Sequence, residues 1–103
     1  MMDRSKKMTD TESEIMEVLW SSEAPMSAAE LISYFAEHHG KTWKASTLAT
    51  FLSRLNQKGL VDSDRRGRVP YYHPIQTKAA YMQSMAQEVL DSMYQGSVTK
   101  FFA

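Results

Sequence analysis

The sequence contains no cysteine and no long apolar segment. Without cysteine the chain forms neither disulfides nor thiolate metal sites, and a cysteine nucleophile is excluded. No apolar run approaches the roughly 18 residues of a transmembrane helix. The first residues, M-M-D-R-S-K-K, lack the apolar block of a signal peptide. We therefore expect a cytoplasmic protein.

Motifs of catalysis and of cofactor binding are also missing. No Ser/His/Asp order, phosphate-binding loop or paired-carboxylate motif stands out, so an enzyme has no positive support. His38, His39 and His73 are too few and too scattered for a metal site. We expect a protein that is not an enzyme and has no metal or other cofactor.

Charge is unevenly distributed along a chain whose formal net charge is zero. Residues 1–40 hold three Lys or Arg against eight Asp or Glu, whereas residues 41–74 hold seven against two. A basic segment of this length forms a local electrostatic site for a polyanion, although the whole protein is neutral.

Two capping boxes predict the first two helices. Thr9 and Glu12 begin the first, with Thr11 and Glu14 as the alternative pair, after a loose polar arm over residues 1–8. We expect its buried stripe to be Ile15, Met16, Leu19 and Trp20, and its water-facing residues to be Glu12, Glu14, Glu17 and Glu23. Ser27 and Glu30 begin the second helix, which ends at the left-handed cap Gly40. Its inward residues are Ala28, Leu31, Ile32, Phe35 and Ala36.

A third helix is predicted over residues 46–58, ended by Gly59. Its apolar stripe is Leu48, Leu52 and Leu55 with Phe51 beside them, and its other surface carries Ser46, Thr47, Thr50, Ser53, Arg54 and Lys58. Short hydroxyl side chains are poor helix formers but suit a helix in a DNA major groove, because the backbone can approach the bases closely. An ordinary solvated face is the alternative.

Two β-prone runs, 60–64 and 69–73, flank the segment R-R-G-R, which predicts a hairpin with Gly67 at its turn. Pro70 should lie at a sheet edge, because it has no N–H to donate. Arg65, Arg66 and Arg68 at the tip suit phosphates or a minor groove. Three helices and this hairpin predict a mainly α winged helix-turn-helix domain.

Helical periodicity returns over residues 77–95. Its apolar stripe includes Met82, Met85, Val89, Leu90 and Met93; Gly96 should break the helix before a last turn with Phe101 and Phe102. We expect these seven residues to pair two copies in a homodimer, since large exposed apolar surfaces are unusual on monomers. The alternative is that the stripe folds back over the core. The predicted domains are 1–74, which binds DNA, and 75–103, which dimerises.

Three blocks together resemble the penicillinase-repressor (BlaI/MecI/CopY) family of bacterial transcription regulators. They are T-x-x-E-x-x-I-M-x-x-L-W at 9–20, T-L-A-T-F-L-S-R-L-N-Q-K-G at 47–59 and G-R-V-P-Y-Y-H-P at 67–74. The resemblance covers essentially the whole chain. It implies a winged-helix repressor that binds palindromic operators with TACA/TGTA-type half-sites as a dimer, followed by C-terminal dimerisation helices. It also implies release through a sensor-protease pathway in one branch of the family and through metal binding in another.

The resemblance carries over a short set of residues. Thr47, Thr50 and Arg54 match the DNA-reading block, and Arg68 with Tyr72 matches the wing motif; Lys44, Ser46 and Lys58 flank the helix as phosphate contacts. Arg54 has an alternative role in holding the wing or the first helix.

The sequence departs from the family at two places. Ala49 stands where the family often has a basic residue, and the C-terminal dimerisation region is incomplete relative to the family pattern. The segment at which cleavable members are cut corresponds to residues 100–102. The copper branch's Cys-x-Cys pairs are absent.

Two functions therefore follow from the sequence. The first is a dimeric repressor that binds double-stranded operator DNA through Lys44, Ser46, Thr47, Thr50, Arg54, Arg65, Arg66 and Arg68. The second is a winged-helix module that uses its Met-rich C-terminal helix to bind another protein, without specific DNA binding.

Overall fold

A computed structural model describes the backbone of residues 7–102 and the side chains of residues 7–94. Four helices and three strands follow one another along the chain. They are α1 (Asp10–Ser21), β1 (Met26–Ser27), α2 (Ala28–His39), α3 (Ala45–Gln57), β2 (Val61–Arg66), β3 (Val69–Pro74) and α4 (Lys78–Phe102).

Both predicted capping boxes are formed. The Thr9 hydroxyl accepts from the Glu12 N–H at 3.2 Å, and Glu12 Oε1 accepts from the Thr9 N–H at 3.0 Å. Ser27 and Glu30 make the same reciprocal pair at the start of α2. Gly40 closes α2 with φ 63°, a left-handed conformation that glycine adopts without strain. The N-cap of α1 is therefore Thr9 and not the alternative Thr11.

The three strands form one antiparallel sheet in the order β1-β3-β2. Gly67 adopts φ 69° at the hairpin turn, where Arg66 and Val69 are the last paired residues. The central position of β3 was not expected, because β1 is a two-residue strand that sequence patterns do not reveal. Pro70 nevertheless lies at an open edge, since β1 pairs only with Tyr71 and Tyr72 and ends short of it.

One hydrophobic core joins the three helices to the base of the hairpin. Its fully buried members include Ile15, Leu31, Phe35, Leu48 and Leu55. Val18 is also buried, whereas Trp20 is only partly so and the predicted inward residue Ala36 is exposed. The alanine lies on the border of the α2 stripe, where a short side chain does not reach the core.

Two predictions about the N-terminal segment are wrong. Glu12 is 0% exposed instead of facing water, because Lys58 from the end of α3 covers and neutralises it. Met8 was assigned to a loose arm but packs against the core, and the Lys7 carbonyl accepts a hydrogen bond from Lys58 Nζ. Residues 1–6 of that arm lie outside the described residues.

Helix α4 starts on the core and then leaves it. Tyr81 is buried, and its ring is tilted by 40° to the Trp20 ring with centroids 5.5 Å apart. Met85 also packs against the core. The Thr77 hydroxyl caps the helix by accepting from the Ala80 N–H at 3.0 Å. The predicted break at Gly96 is wrong, because the helix continues to Phe102; one glycine inside a helix costs only about 1 kcal/mol. The resulting molecule measures 58 × 27 × 23 Å.

Candidate nucleic-acid interface

Helix α3 separates its residues into a packed side and an open side. Leu48, Leu52 and Leu55 are buried against α1 and α2, with Phe51 half-buried beside them. The other side of the helix is exposed, and it includes four of the predicted DNA contacts: Ser46, Thr47, Thr50 and Arg54. The helix is therefore held by its leucines and presents a polar surface to a ligand.

A straight row of small polar side chains runs along the middle of this surface. Ser46, Thr50, Ser53 and Gln57 follow one another at spacings of four, three and four, which places them on one helical face. Thr50 Oγ1 donates to the Ser46 carbonyl at 3.1 Å. Ser53 and Gln57 were not among the predicted contacts, and the same spacing rule could have found them.

The N-terminus of α3 is basic. Lys44 occupies the N-cap position, is exposed, and makes no side-chain capping bond with any described residue. The first N–H groups of this helix carry partial positive charge, and Lys44 adds a full one. This end of α3 therefore suits a phosphate group.

The hairpin carries its three arginines into solvent, as predicted. Arg65, Arg66 and Arg68 are all exposed. Arg65 Nη1 donates to the Arg68 carbonyl at 3.3 Å, and the Arg66 guanidinium lies 4.8 Å from the ring centroid of Tyr71. Tyr71 is half-buried, so this contact holds the Arg66 side chain along the strand.

The hairpin and α3 form one continuous surface. Asn56 Nδ2 donates to the Val61 carbonyl at 2.9 Å, which fastens the end of α3 to the start of β2. Tyr72, which the family resemblance matches to the wing motif, packs against the core and lines the groove between α3 and the hairpin. Ala49, the position at which the family resemblance implies a basic residue, lines the same groove.

Arg54 and Lys58 occupy the flank of α3 that faces away from the hairpin. The Arg54 guanidinium lies 5.9 Å from the Phe51 ring centroid and interacts electrostatically with Glu12. Arg54 is nevertheless exposed, so its electrostatic attraction to Glu12 does not remove it from the surface. Lys58 is different: its ammonium group binds Glu12 Oε1 at 2.5 Å and only 18% of its side chain is exposed.

The predicted dimerisation residues divide into three groups. Met85 packs on the core, as the alternative interpretation requires. Met82, Val89, Leu90 and Met93 are 47–59% exposed on α4. The side chains of Phe101 and Phe102 lie outside the described residues. The helix thus folds back through one face and leaves another apolar face uncovered by any described residue.

Membrane-spanning helices and clusters of metal-ligating side chains are both absent from the described part of the chain. No helix there is both long and apolar enough to cross a membrane. The same residues include no group of three or more His, Asp and Glu side chains arranged to hold a metal ion. His73 lies beside one carboxylate only, with Nε2 3.5 Å from Asp64 Oδ2.

Known proteins are similar to this chain in sequence and in fold. The sequence model of the penicillinase repressor family matches residues 8–103. The penicillinase repressor of Bacillus licheniformis is 28% identical over 97 residues, which cover 94% of this chain and 73% of that protein.

Two solved structures support the same assignment. The solution structure of the DNA-binding domain of the repressor BlaI is 30% identical with a TM-score of 0.61, and the match covers 75% of this chain and 90% of that one. The Bacillus licheniformis BlaI monomer in complex with the blaP half-operator is also 30% identical, with a TM-score of 0.57 over 71% of this chain and 85% of that one. The winged-helix prediction is confirmed, and the chain belongs to the penicillinase repressor family of DNA-binding transcriptional repressors.

Proposed function

We propose that this protein represses transcription by binding a palindromic operator with α3 in the major groove. The observation that carries the proposal is the exposed row of Ser46, Thr50, Ser53 and Gln57, which is flanked by cations at the start of α3 and on the hairpin. Small side chains let the helix backbone approach the base edges, and hydroxyl and amide groups can hydrogen-bond to them. In this proposal the protein acts in the cytoplasm, where the operator DNA lies.

The cations of this surface supply the affinity that does not depend on sequence. Lys44, Arg65, Arg66 and Arg68 are exposed, and within residues 7–94 none of them pairs with a carboxylate. Each is therefore available to a phosphate, and the wing arginines extend the contact beyond α3. Thr47 and Arg54 complete the proposed interface at the edge of the row. A similar chain, the BlaI monomer, binds the blaP half-operator.

We further propose that two copies bind one operator through the uncovered face of α4. Met82, Val89 and Met93 recur at spacings of seven and four, which aligns them on one helical face away from Tyr81. A symmetric pair would bury this face and place two copies of α3 about one turn of DNA apart. Residues 1–74 then form the DNA-binding domain and residues 75–103 the dimerisation region, joined through the contact between Trp20 and Tyr81.

Relief of repression is proposed from the family resemblance alone. In this proposal a sensor-protease pathway cleaves the chain within residues 100–102 and weakens the dimer. The side chains of these residues lie outside the described part of the structure.

The salt dependence of DNA binding tests the proposed interface. In the double variant Arg66→Ala/Arg68→Ala, the negative slope of log K against log salt should become shallower by about 1.8, because each phosphate contact contributes about −0.9. Lys78→Ala serves as the control, since Lys78 pairs with Glu17 at the start of α4. An unchanged slope in the double variant would show that the hairpin does not contact DNA.

A further inference from the structure

Glu12 is a fully buried carboxylate next to the proposed DNA-binding helix. It is 0% exposed, and its Oε1 atom accepts hydrogen bonds from the Thr9 N–H at 3.0 Å and from Lys58 Nζ at 2.5 Å. Helix capping requires only the first of these bonds, and a glutamine would make it equally well. The negative charge of Glu12 therefore has a role beyond starting α1.

That charge holds a cation that α3 would otherwise present to DNA. Lys58 is the C-cap of α3 and lies one helical turn after Arg54, on the same flank of the helix. Its ammonium group also donates to the Lys7 carbonyl at 2.8 Å, so two acceptors from the N-terminal segment hold it. Released from them, a side chain with four rotatable methylenes could reach a phosphate beside the groove.

The other cations around α3 are not held in this way. Lys44 and the three hairpin arginines are exposed and pair with no carboxylate among the described residues. Lys41 does pair, with Glu14 at 3.0 Å, but both side chains are more than one third exposed, so water and salt screen that contact. Arg54 interacts electrostatically with Glu12 but stays exposed. Among the described cations of this surface, Lys58 is therefore the one that is both paired with a carboxylate and largely buried.

Glu12 remains ionised at neutral pH. Burial by itself raises the pKa of Glu12, but the hydrogen bonds from Lys58 and Thr9 and the positive charges of Lys58 and Arg54 outweigh burial and lower the pKa below its ordinary value. Glu12 and Lys58 therefore form a salt bridge at the neutral pH of a DNA-binding measurement.

We infer that Glu12 limits sequence-independent DNA binding by withholding Lys58 from the phosphate backbone. The inference rests on the proposed function, because it takes the exposed face of α3 as the DNA-binding surface. Phosphate contacts strengthen binding to every sequence alike. A lysine kept inside the protein lowers the affinity for non-operator DNA without touching the groups that read bases.

The test compares salt slopes on a scrambled duplex. In Glu12→Gln the negative slope of log K against log salt should become steeper by about 0.9, and affinity at 0.15 M salt should rise roughly fivefold, as expected for one added phosphate contact. Adding Lys58→Met should return both values to those of the wild type. Glu17→Gln is the matched control, because it frees Lys78 at the start of α4 and should leave the slope unchanged.

Either of two outcomes would overturn the inference. The first is a salt slope in Glu12→Gln equal to that of the wild type, and the second is a steeper salt slope that persists after Lys58→Met is added. Loss of folding alone would lower the fraction of active protein and would not steepen the slope. Failure of the proposed function is seen separately, as wild-type protein that binds operator no better than the scrambled duplex.

A second measurement uses the wild-type protein and so does not depend on the folding of a variant. Acetylation of lysine amines, followed by mass spectrometry, should find Lys58 slow to react both with and without DNA. Lys44 should react quickly alone and become protected when DNA is added. Fast reaction of Lys58 that DNA suppresses would contradict the inference.

Discussion

Replacing Val89 by lysine should separate the proposed dimer. Val89 is 55% exposed on α4. Full burial of a valine side chain stabilises by about 1.5–3 kcal/mol, so covering the exposed half in a dimer contributes about 1 kcal/mol per copy. A two-fold interface contains this residue twice. Loss of both contributions, about 2 kcal/mol, should weaken dimerisation roughly thirtyfold.

Sedimentation equilibrium over a range of protein concentrations measures this change. The matched control is Gln87→Lys, which adds the same charge to the same helix two residues away, on a different face. Gln87→Lys should keep the wild-type dimerisation constant, while Val89→Lys should lose the preference for a full palindrome and still bind a half-operator. Equal dimerisation constants for Val89→Lys and the wild type would refute the α4 interface.

Three further predictions concern stability. Phe35→Ala should cost about 3–5 kcal/mol in chemical denaturation, because Phe35 is 0% exposed and its ring lies 4.6 Å from that of Trp43; a cost below 1 kcal/mol would place it outside the core. Ser27→Ala should lower the free energy of unfolding by about 1 kcal/mol through loss of the α2 cap. Ser27→Asn should keep most of the stabilisation that the cap provides, because asparagine is also a good N-cap residue. Glu12→Gln should destabilise by about 2 kcal/mol above pH 5.5, and the difference should shrink as the pH falls below 4.5, because the lowered pKa of Glu12 contributes stability that protonation removes. A difference that stays constant between pH 7 and pH 3.5 would contradict the ionised pair.

Local sequence rules found the features that depend on neighbouring residues. The capping boxes at Thr9 and Ser27 each involve residues three apart, so the chain itself contains the whole pattern. The leucine stripe of α3 and the glycine at the hairpin turn are equally local. The resemblance to known repressors then supplied the function that these elements alone left open.

Features that depend on distant residues were missed. Glu12 was expected in water because its partner Lys58 is 46 residues away, and no periodicity links the two. Strand β1 exists only by pairing with Tyr71 and Tyr72. Gly96 lies within α4, because a single glycine costs only about 1 kcal/mol relative to alanine and does not by itself end a helix. Each error therefore arises where context overrides a local preference.

Binding to operator and scrambled duplexes tests the proposed function most directly. Fluorescence anisotropy with a TACA/TGTA palindrome and a scrambled duplex of equal length, each at several salt concentrations, measures both affinity and stoichiometry. We predict two chains per palindrome and an affinity at least about a thousandfold higher than for the scrambled duplex. Equal affinity for the two duplexes would contradict sequence reading by α3.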